Sequence, residues 1–211
     1  MEAVGVKALY PGFIDSLLAE QVDRVPRGDR WLHEIKFDGY RAQLHIMNQG
    51  IRVFTRRGLD WTKRFRKIAK DADRISAGSV IIDGEIVLPG EGGKTDFSVL
   101  QNSLSGNADN IVMVAFDLLY LNGRDRRKLP LTQRKLILKK VIAKGSMTRP
   151  LMTFPLNSDA DGAGVGADQT PNWFSGRQRK RKALECRTLS TRLVTARGRS
   201  MNSSACCKAS R

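Results

Sequence analysis

The chain changes character near residue 145, and that break limits what can take part in a core. Isoleucine recurs through the first part and ends at Ile142; beyond it there is none, and Val165 and Val194 are the only valines. Residues 1–145 hold 25 Lys and Arg against 17 Asp and Glu, whereas 146–211 hold 12 against 4 in under half the length. Asp159–Gly166 (DADGAGVG) and the run Arg177–Lys182 (RQRKRK) have the composition of solvated chain. With so little apolar surface to bury, such a segment cannot offset its ordering entropy. Residues 1–145 are therefore the expected domain, and 146–211 an expected basic, low-complexity, mostly disordered tail. A shift of reading frame near residue 145 would also account for the lost periodicity. The basic run reads either as solvated chain or as a nucleic-acid arm.

Before the break, strand and helix signals alternate irregularly. Trp31–Asp38 (WLHEIKFD) alternates with period two, so Glu34, Lys36 and Asp38 share a face. Asp38-Gly39 predicts a turn, after which Arg41–Ile46 returns. Ile51–Arg56 predicts a third strand. Asp60 is the expected cap of a helix whose core stripe is Trp61, Phe65, Ile68, Ala72 and Ile75. Val80–Leu88 reads as an apolar strand that carries Asp83 and Glu85 on one side. Asp96 is the expected cap of a short helix over Phe97–Leu104. A long apolar strand follows at Ile111–Leu121, then a basic amphipathic helix from about Thr132 to Ile142. Strands not regularly interleaved with helices predict an α+β fold of largely antiparallel sheet.

The formal net charge of +16 favours a polyanionic partner such as nucleic acid. The three cysteines, Cys186, Cys206 and Cys207, match no zinc or disulfide spacing. No stretch reaches the roughly 20 apolar residues of a membrane span, and the N-terminus lacks the order of a secretory signal. The expected location is cytoplasmic, in association with the nucleoid.

Four clusters could carry chemistry. Glu34, Lys36 and Asp38 precede a glycine and Arg41, and a lysine beside a glycine turn can reach a phosphorus atom. It attacks only when deprotonated, which nearby cations or a bound metal favour. Arg56 and Arg57 precede Gly58, and paired guanidinium groups suit phosphate or ribose oxygens. Asp83 and Glu85 offer the hard oxygen ligands that Mg²⁺ takes with phosphate and water. Phe116 offers a flat stacking face. Each has an ordinary alternative: solvated charges at a sheet edge, a basic turn, acids on a solvent face, a core phenylalanine.

In order, these clusters resemble the nucleotidyltransferase domain of ATP-dependent ligases. Lys36-Phe-Asp38-Gly39-Tyr-Arg41 fits the signature KxDGxR that those ligases share with capping enzymes. The wider WLHEIKFDGYR is similar to the ligase domain of bacterial end-joining ligases of the ligase D type. Pro11–Pro26 resembles that domain's lead-in, Thr55–Thr62 (TRRGLDWT) its second box, Ile82–Ile86 (IDGEI) its acidic strand, and Ala115–Gly123 (AFDLLYLNG) its base-stacking strand. The resemblance spans residues 11–142. It implies an ATP-grasp-like fold with ATP and Mg²⁺ (or Mn²⁺) as cofactors. It also implies DNA with a nick or break as partner, alongside end-joining repair partners, and no membrane. By position, it implies that Lys36 takes AMP, that Glu34 contacts adenine, Arg41 the ribose and Phe116 the base face. Arg56 and Arg57 then serve the nucleotide, and Glu85 with Asp83 the metal.

Two further boxes of the family, a Glu-Gly strand and a lysine pair at the α-phosphate, have no counterpart here, and neither does the oligonucleotide-binding barrel. Leu184-Glu185-Cys186 and Arg177–Lys182 lack their context. The resemblance therefore implies slowed self-adenylylation, since one lost preorganised contact costs about 10²–10³ in rate. The competing expectations are an RNA ligase or capping-type nucleotidyltransferase, and a non-catalytic nucleic-acid-binding remnant.

Overall fold

The structure, a computed structural model, describes residues 4–18, 32, 34, 36–48, 50–90, 95–106, 109–145 and 151–153. The elements run β1 (Val6–Lys7), β2 (Tyr40–Met47), β3 (Gly50–Thr55), α1 (Arg66–Ala72), β4 (Ser79–Val87), α2 (Phe97–Ser103), β5 (Val112–Leu121), β6 (Arg124–Asp125), α3 (Leu131–Gly145) and β7 (Leu151–Thr153). The cysteines, Leu184-Glu185-Cys186 and Arg177–Lys182 lie outside the described residues, as does most of the expected tail.

Among the described residues one sheet orders its strands β1-β6-β5-β4-β2-β3, with β7 beside β5. Every pairing is antiparallel except β5 with β7. The α+β, largely antiparallel expectation holds. β2, β4 and β5 carry it, because their alternating apolar residues build one continuous layer. Ala42, Leu44 and Ile46, Val80, Ile82 and Ile86, and Met113, Ala115 and Leu118 join one buried cluster. Phe65, Ile68 and Ala72 cover that face from the α1 region, and Leu138 and Ile142 from α3. Each such valine, leucine, isoleucine, methionine or phenylalanine contributes about 1.5–3 kcal/mol when fully buried.

Two local expectations fail. The described residues of the strand expected at Trp31–Asp38, namely Leu32, Glu34, Lys36, Phe37 and Asp38, lie in irregular backbone; the others lie outside the described residues. Both edges of β2 are already occupied, by β3 and by β4, so no hairpin partner can form there. Asp38 turns to α2 instead. Its amide donates to Thr95 Oγ1 at 2.9 Å, and its carboxylate accepts from the Phe97 amide at 3.3 Å. Nor does Asp60 cap a helix. Its carboxylate accepts from the Thr62 amide at 3.0 Å and from the Thr62 hydroxyl, while its backbone bridges Phe54. The helix starts later, at Arg66, with Phe65 in the cap position and no side-chain cap. Phe65, Ile68, Ala72 and Ile75 of the stripe are buried as expected, since burial and not the cap decides it, while Trp61 is only partly buried. Asp96 does cap α2, accepting from the Ser98 and Val99 amides at 2.8 and 3.3 Å.

A polar network pins the N-terminal segment across β2. The Tyr10 hydroxyl meets His45 Nδ1 at 2.7 Å, His45 Nε2 lies 3.2 Å from Gln43 Oε1, and Gln43 exchanges hydrogen bonds with the backbone of Ile14. Burial lowers the His45 pKa to about 4. Burial, then the neighbouring Tyr120, pushes Tyr10 up to about 12. Both shifts favour the uncharged forms that this network uses.

Candidate functional site

The approach of the chain to β2 is set by a glycine. A β-carbon at Gly39 would collide with the Ile86 carbonyl oxygen and come within 2.8 Å of Val87 Cγ1. Only glycine lets the Lys36–Asp38 segment lie this close to the β4 backbone. Phe37, 7% exposed, packs with Val87 and Val114 and anchors the segment, while Lys36 is exposed.

Beside that segment lies a cavity of about 700 Å³. Lys36, Arg41, Arg56, Arg57 and Glu85 all line it, although they come from the irregular segment, β2, the turn after β3, and β4. The turn holding Arg56 and Arg57 closes at Gly58, which has a φ of +77°. There the Gly58 amide donates to the Thr55 carbonyl at 2.9 Å. A left-handed residue follows the two arginines at little steric cost.

Arg41 is held by an ion pair and a ring. β2 and β4 pair so that Arg41 stands opposite Glu85 and Gln43 opposite Asp83. The guanidinium reaches diagonally and grips Asp83 with Nε at 3.1 Å and Nη2 at 2.7 Å. It also lies over the Phe116 ring, 5.1 Å from its centroid. Burial disfavours the Arg41 charge, but the Asp83 hydrogen bonds and charge, with Glu85 and Asp117, outweigh it and raise its pKa.

Three residues singled out in the sequence do not line the cavity: Glu34, Asp83 and Phe116. Asp83 is 3% exposed and engaged by Arg41. Phe116 is 8% exposed, with Arg41 over one face. Glu34 forms an ion pair with Lys135 of α3, and Lys135 Nζ also donates to the Phe116 carbonyl at 2.9 Å. Among the described residues no cluster of three or more His, Cys, Asp or Glu could hold a metal.

Other wall residues escaped the sequence reading. Tyr40, Trp61 and Phe97 form an aromatic wall, with ring centroids 5.5 Å (Tyr40–Trp61) and 4.8 Å (Tyr40–Phe97) apart. Trp61 reads as core from its helical spacing, yet it lies before the helix and is half-buried. Lys135, which does not line the cavity, was legible in principle as a buried charge. With Arg134 it interrupts the apolar stripe Leu131, Leu138, Ile142 at a position where burial is required.

Known proteins resemble this arrangement in sequence and in fold. The sequence profile of the ATP dependent DNA ligase domain matches residues 16–161. The multifunctional non-homologous end joining protein LigD of Pseudomonas aeruginosa is 39% identical over 132 residues, covering 62% of this chain and 16% of that protein. A DNA ligase of Thermoplasma volcanium is 33% identical over 117 residues, covering 50% of this chain and 20% of that ligase. Among solved structures, the ligase domain of M. tuberculosis LigD superposes with a TM-score of 0.50 at 30% identity, over 57% of this chain and 40% of that one. A mycobacterial DNA ligase D complexed with ATP and MES gives 0.51 at 26% identity, over 69% and 45%. The chain thus spans less than half the length of each of these proteins.

The fold is that of a ligase nucleotidyltransferase domain, present in part. The chain belongs to the ATP-dependent DNA ligase domain family.

Proposed function

We propose that the chain binds ATP in the cavity and takes AMP onto Lys36, the first step of sealing a break in DNA. The observation that supports this reading is the convergence of Lys36, Arg41, Arg56, Arg57 and Glu85 on one cavity from positions 36 to 85 of the sequence. Solvated charges and basic turns have no reason to converge.

The deprotonated Lys36 amine attacks the α-phosphorus, the bond to the bridging oxygen breaks, and pyrophosphate leaves with the electron pair. AMP remains as a phosphoramidate. It then passes to a DNA 5′-phosphate, and the 3′-hydroxyl of the neighbouring strand finally displaces it. Arg56 and Arg57, which line the wall, would stabilise phosphoryl charge. Tyr40, Trp61 and Phe97 shield one side of the cavity from water. Asp83 orients Arg41, and Glu85, which lines the wall, would hold Mg²⁺ or Mn²⁺ with Asp83 beside it on β4. That suits Mg²⁺, which binds through one or two carboxylates plus phosphate. When bound, the metal supplies charge neutralisation at the phosphate oxygens.

The net charge of +16 supports DNA as the polyanionic partner, at the bacterial nucleoid and beside other end-joining components. Among the described residues no helix is long and apolar enough to cross a membrane. We place the domain boundary near residue 145, with a basic tail behind it from which Leu151–Thr153 returns to pair with β5.

Incubation with α-labelled ATP and Mg²⁺ or Mn²⁺ tests the reading. Label on the wild type and none on Lys36→Ala is expected. Label from GTP in preference to ATP would point to capping chemistry. No label together with retained DNA binding would leave a nucleic-acid-binding protein and refute the transfer.

A further inference from the structure

The backbone that carries Lys36 to the cavity is gripped from two directions. From the sheet, Phe37 packs with Val87 and Val114, and Gly39 lies against the Ile86 carbonyl. From the other direction comes the start of α2. The Asp38 amide donates to Thr95 Oγ1 at 2.9 Å, and the Asp38 carboxylate accepts from the Phe97 amide at 3.3 Å. The Phe97 ring centroid also lies 4.8 Å from that of Tyr40, the residue after Gly39. A helix leaves its first amides without intrahelical partners. Asp96 takes those of Ser98 and Val99, and the Phe97 amide goes to Asp38. The first turn of α2 is thus tied by one carboxylate of its own and by one from the lysine segment. Thr95 supplies the remaining tie, from 57 positions along the chain. It is itself anchored, because its backbone bridges Pro89 just after β4.

We propose that Thr95 is a positioning residue for the transfer: by holding the Asp38 amide, it fixes the backbone from which Lys36 reaches the cavity. This rests on the reading that Lys36 takes AMP. Thr95 does not line the cavity, whereas Lys36, Phe37, Asp38 and Phe97 do, so it acts only through its neighbours. The Asp38 amide belongs to the peptide that joins Asp38 to Phe37, and the Phe37 ring is held against the sheet. A peptide fixed from both directions restricts the dihedrals at the root of the lysine. Lysine carries its amine on a flexible four-carbon stem. That amine meets a phosphorus atom reproducibly only when the stem starts from a constant origin. A misplacement of about 1 Å can cost a hundredfold in rate. Losing one restraint among several should cost less, about threefold to tenfold, in line with one net hydrogen bond. With Thr95 outside the wall, the affinity for ATP should not change.

The test compares the full chain with Thr95→Val and Thr95→Ser. Valine removes the acceptor but keeps the branched shape that suits the bridge to Pro89, and serine keeps the acceptor. Three quantities are read: ATP affinity by titration calorimetry in EDTA, the single-turnover rate of labelling from α-labelled ATP with Mg²⁺, and hydrogen exchange at the Asp38 amide. Thr95→Val should bind ATP as the wild type does, take label about threefold to tenfold more slowly, and exchange the Asp38 amide faster by a similar factor. Thr95→Ser should match the wild type in all three. A purely structural role would instead lower affinity, rate and melting temperature together. Should Thr95→Val not melt cooperatively, Thr95→Ala, which also removes the acceptor, takes its place under the same criteria. An unchanged labelling rate, a loss of ATP affinity equal to the loss of rate, or a Thr95→Ser as slow as the valine variant overturns the proposal and leaves the transfer to Lys36 standing. Wild type that takes no label overturns both.

Discussion

Arg134→Met removes a guanidinium that is 6% exposed and makes four hydrogen bonds. Two go to Asp117, at 2.7 and 3.0 Å; the others go to the carbonyls of Leu129 at 2.7 Å and Arg127 at 3.2 Å. Methionine fills much of the same space, so the change removes the charge and its hydrogen bonds with little loss of packing. Asp117, 4% exposed, keeps the Leu118 amide at 2.8 Å but loses its counter-ion. Removing one partner of a buried pair costs about 3–5 kcal/mol, and the surviving amide bond puts this case near the lower end. In urea, with a slope of about 2 kcal/mol per molar, the midpoint should fall by about 1.5–2 M. Arg134→Met/Asp117→Asn removes both charges and should be milder than the single change. A single-mutant shift under about 0.5 M at unchanged slope, or a double mutant no better than the single, would refute the reasoning.

Gly39→Ala should cost about 1–3 kcal/mol by forcing the Lys36 segment off the β4 backbone, and should slow label transfer about a hundredfold through misplacement; an unchanged rate contradicts the close approach. Asp96→Ala should cost about 1 kcal/mol in a urea melt through the lost cap of α2. The His45 pKa, about 4 in the fold against an ordinary 6.5, corresponds to about 3 kcal/mol of stability. Because the unfolded chain binds the proton more readily, that stability is full above pH 6.5 and is lost as pH falls toward 4. The chain has only two histidines, so His45→Gln should flatten the melting temperature between pH 6.5 and 5; a wild type already flat there contradicts the account.

Where burial decides, the sequence was readable. The alternation in β2, β4 and β5 and the stripe from Phe65 to Ile75 appear in the fold because one face of each had to leave water. Where a polar group chooses among partners, it was not. Asp60 and Asp96 are both aspartates before a helical stripe, but only Asp96 caps, because Thr62 captures the Asp60 carboxylate. Asp38-Gly39 resembles a hairpin turn, yet the glycine serves the approach to Ile86, and both edges of β2 were already occupied by strands from later in the chain. The cluster of Lys36, Arg41, Arg56, Arg57 and Glu85 was legible from motif order. The pairs Arg41–Asp83 and Glu34–Lys135 were not, since they depend on register and on where α3 docks.

Peptide mapping of the intact chain after incubation with ATP and Mg²⁺, kept at neutral to alkaline pH to preserve a phosphoramidate, asks the central question directly. The account predicts an AMP adduct on the peptide containing Lys36, and none on any other lysine or in Lys36→Ala. An adduct at a different lysine, or ATP bound in the cavity with no adduct formed under any divalent metal, would contradict it.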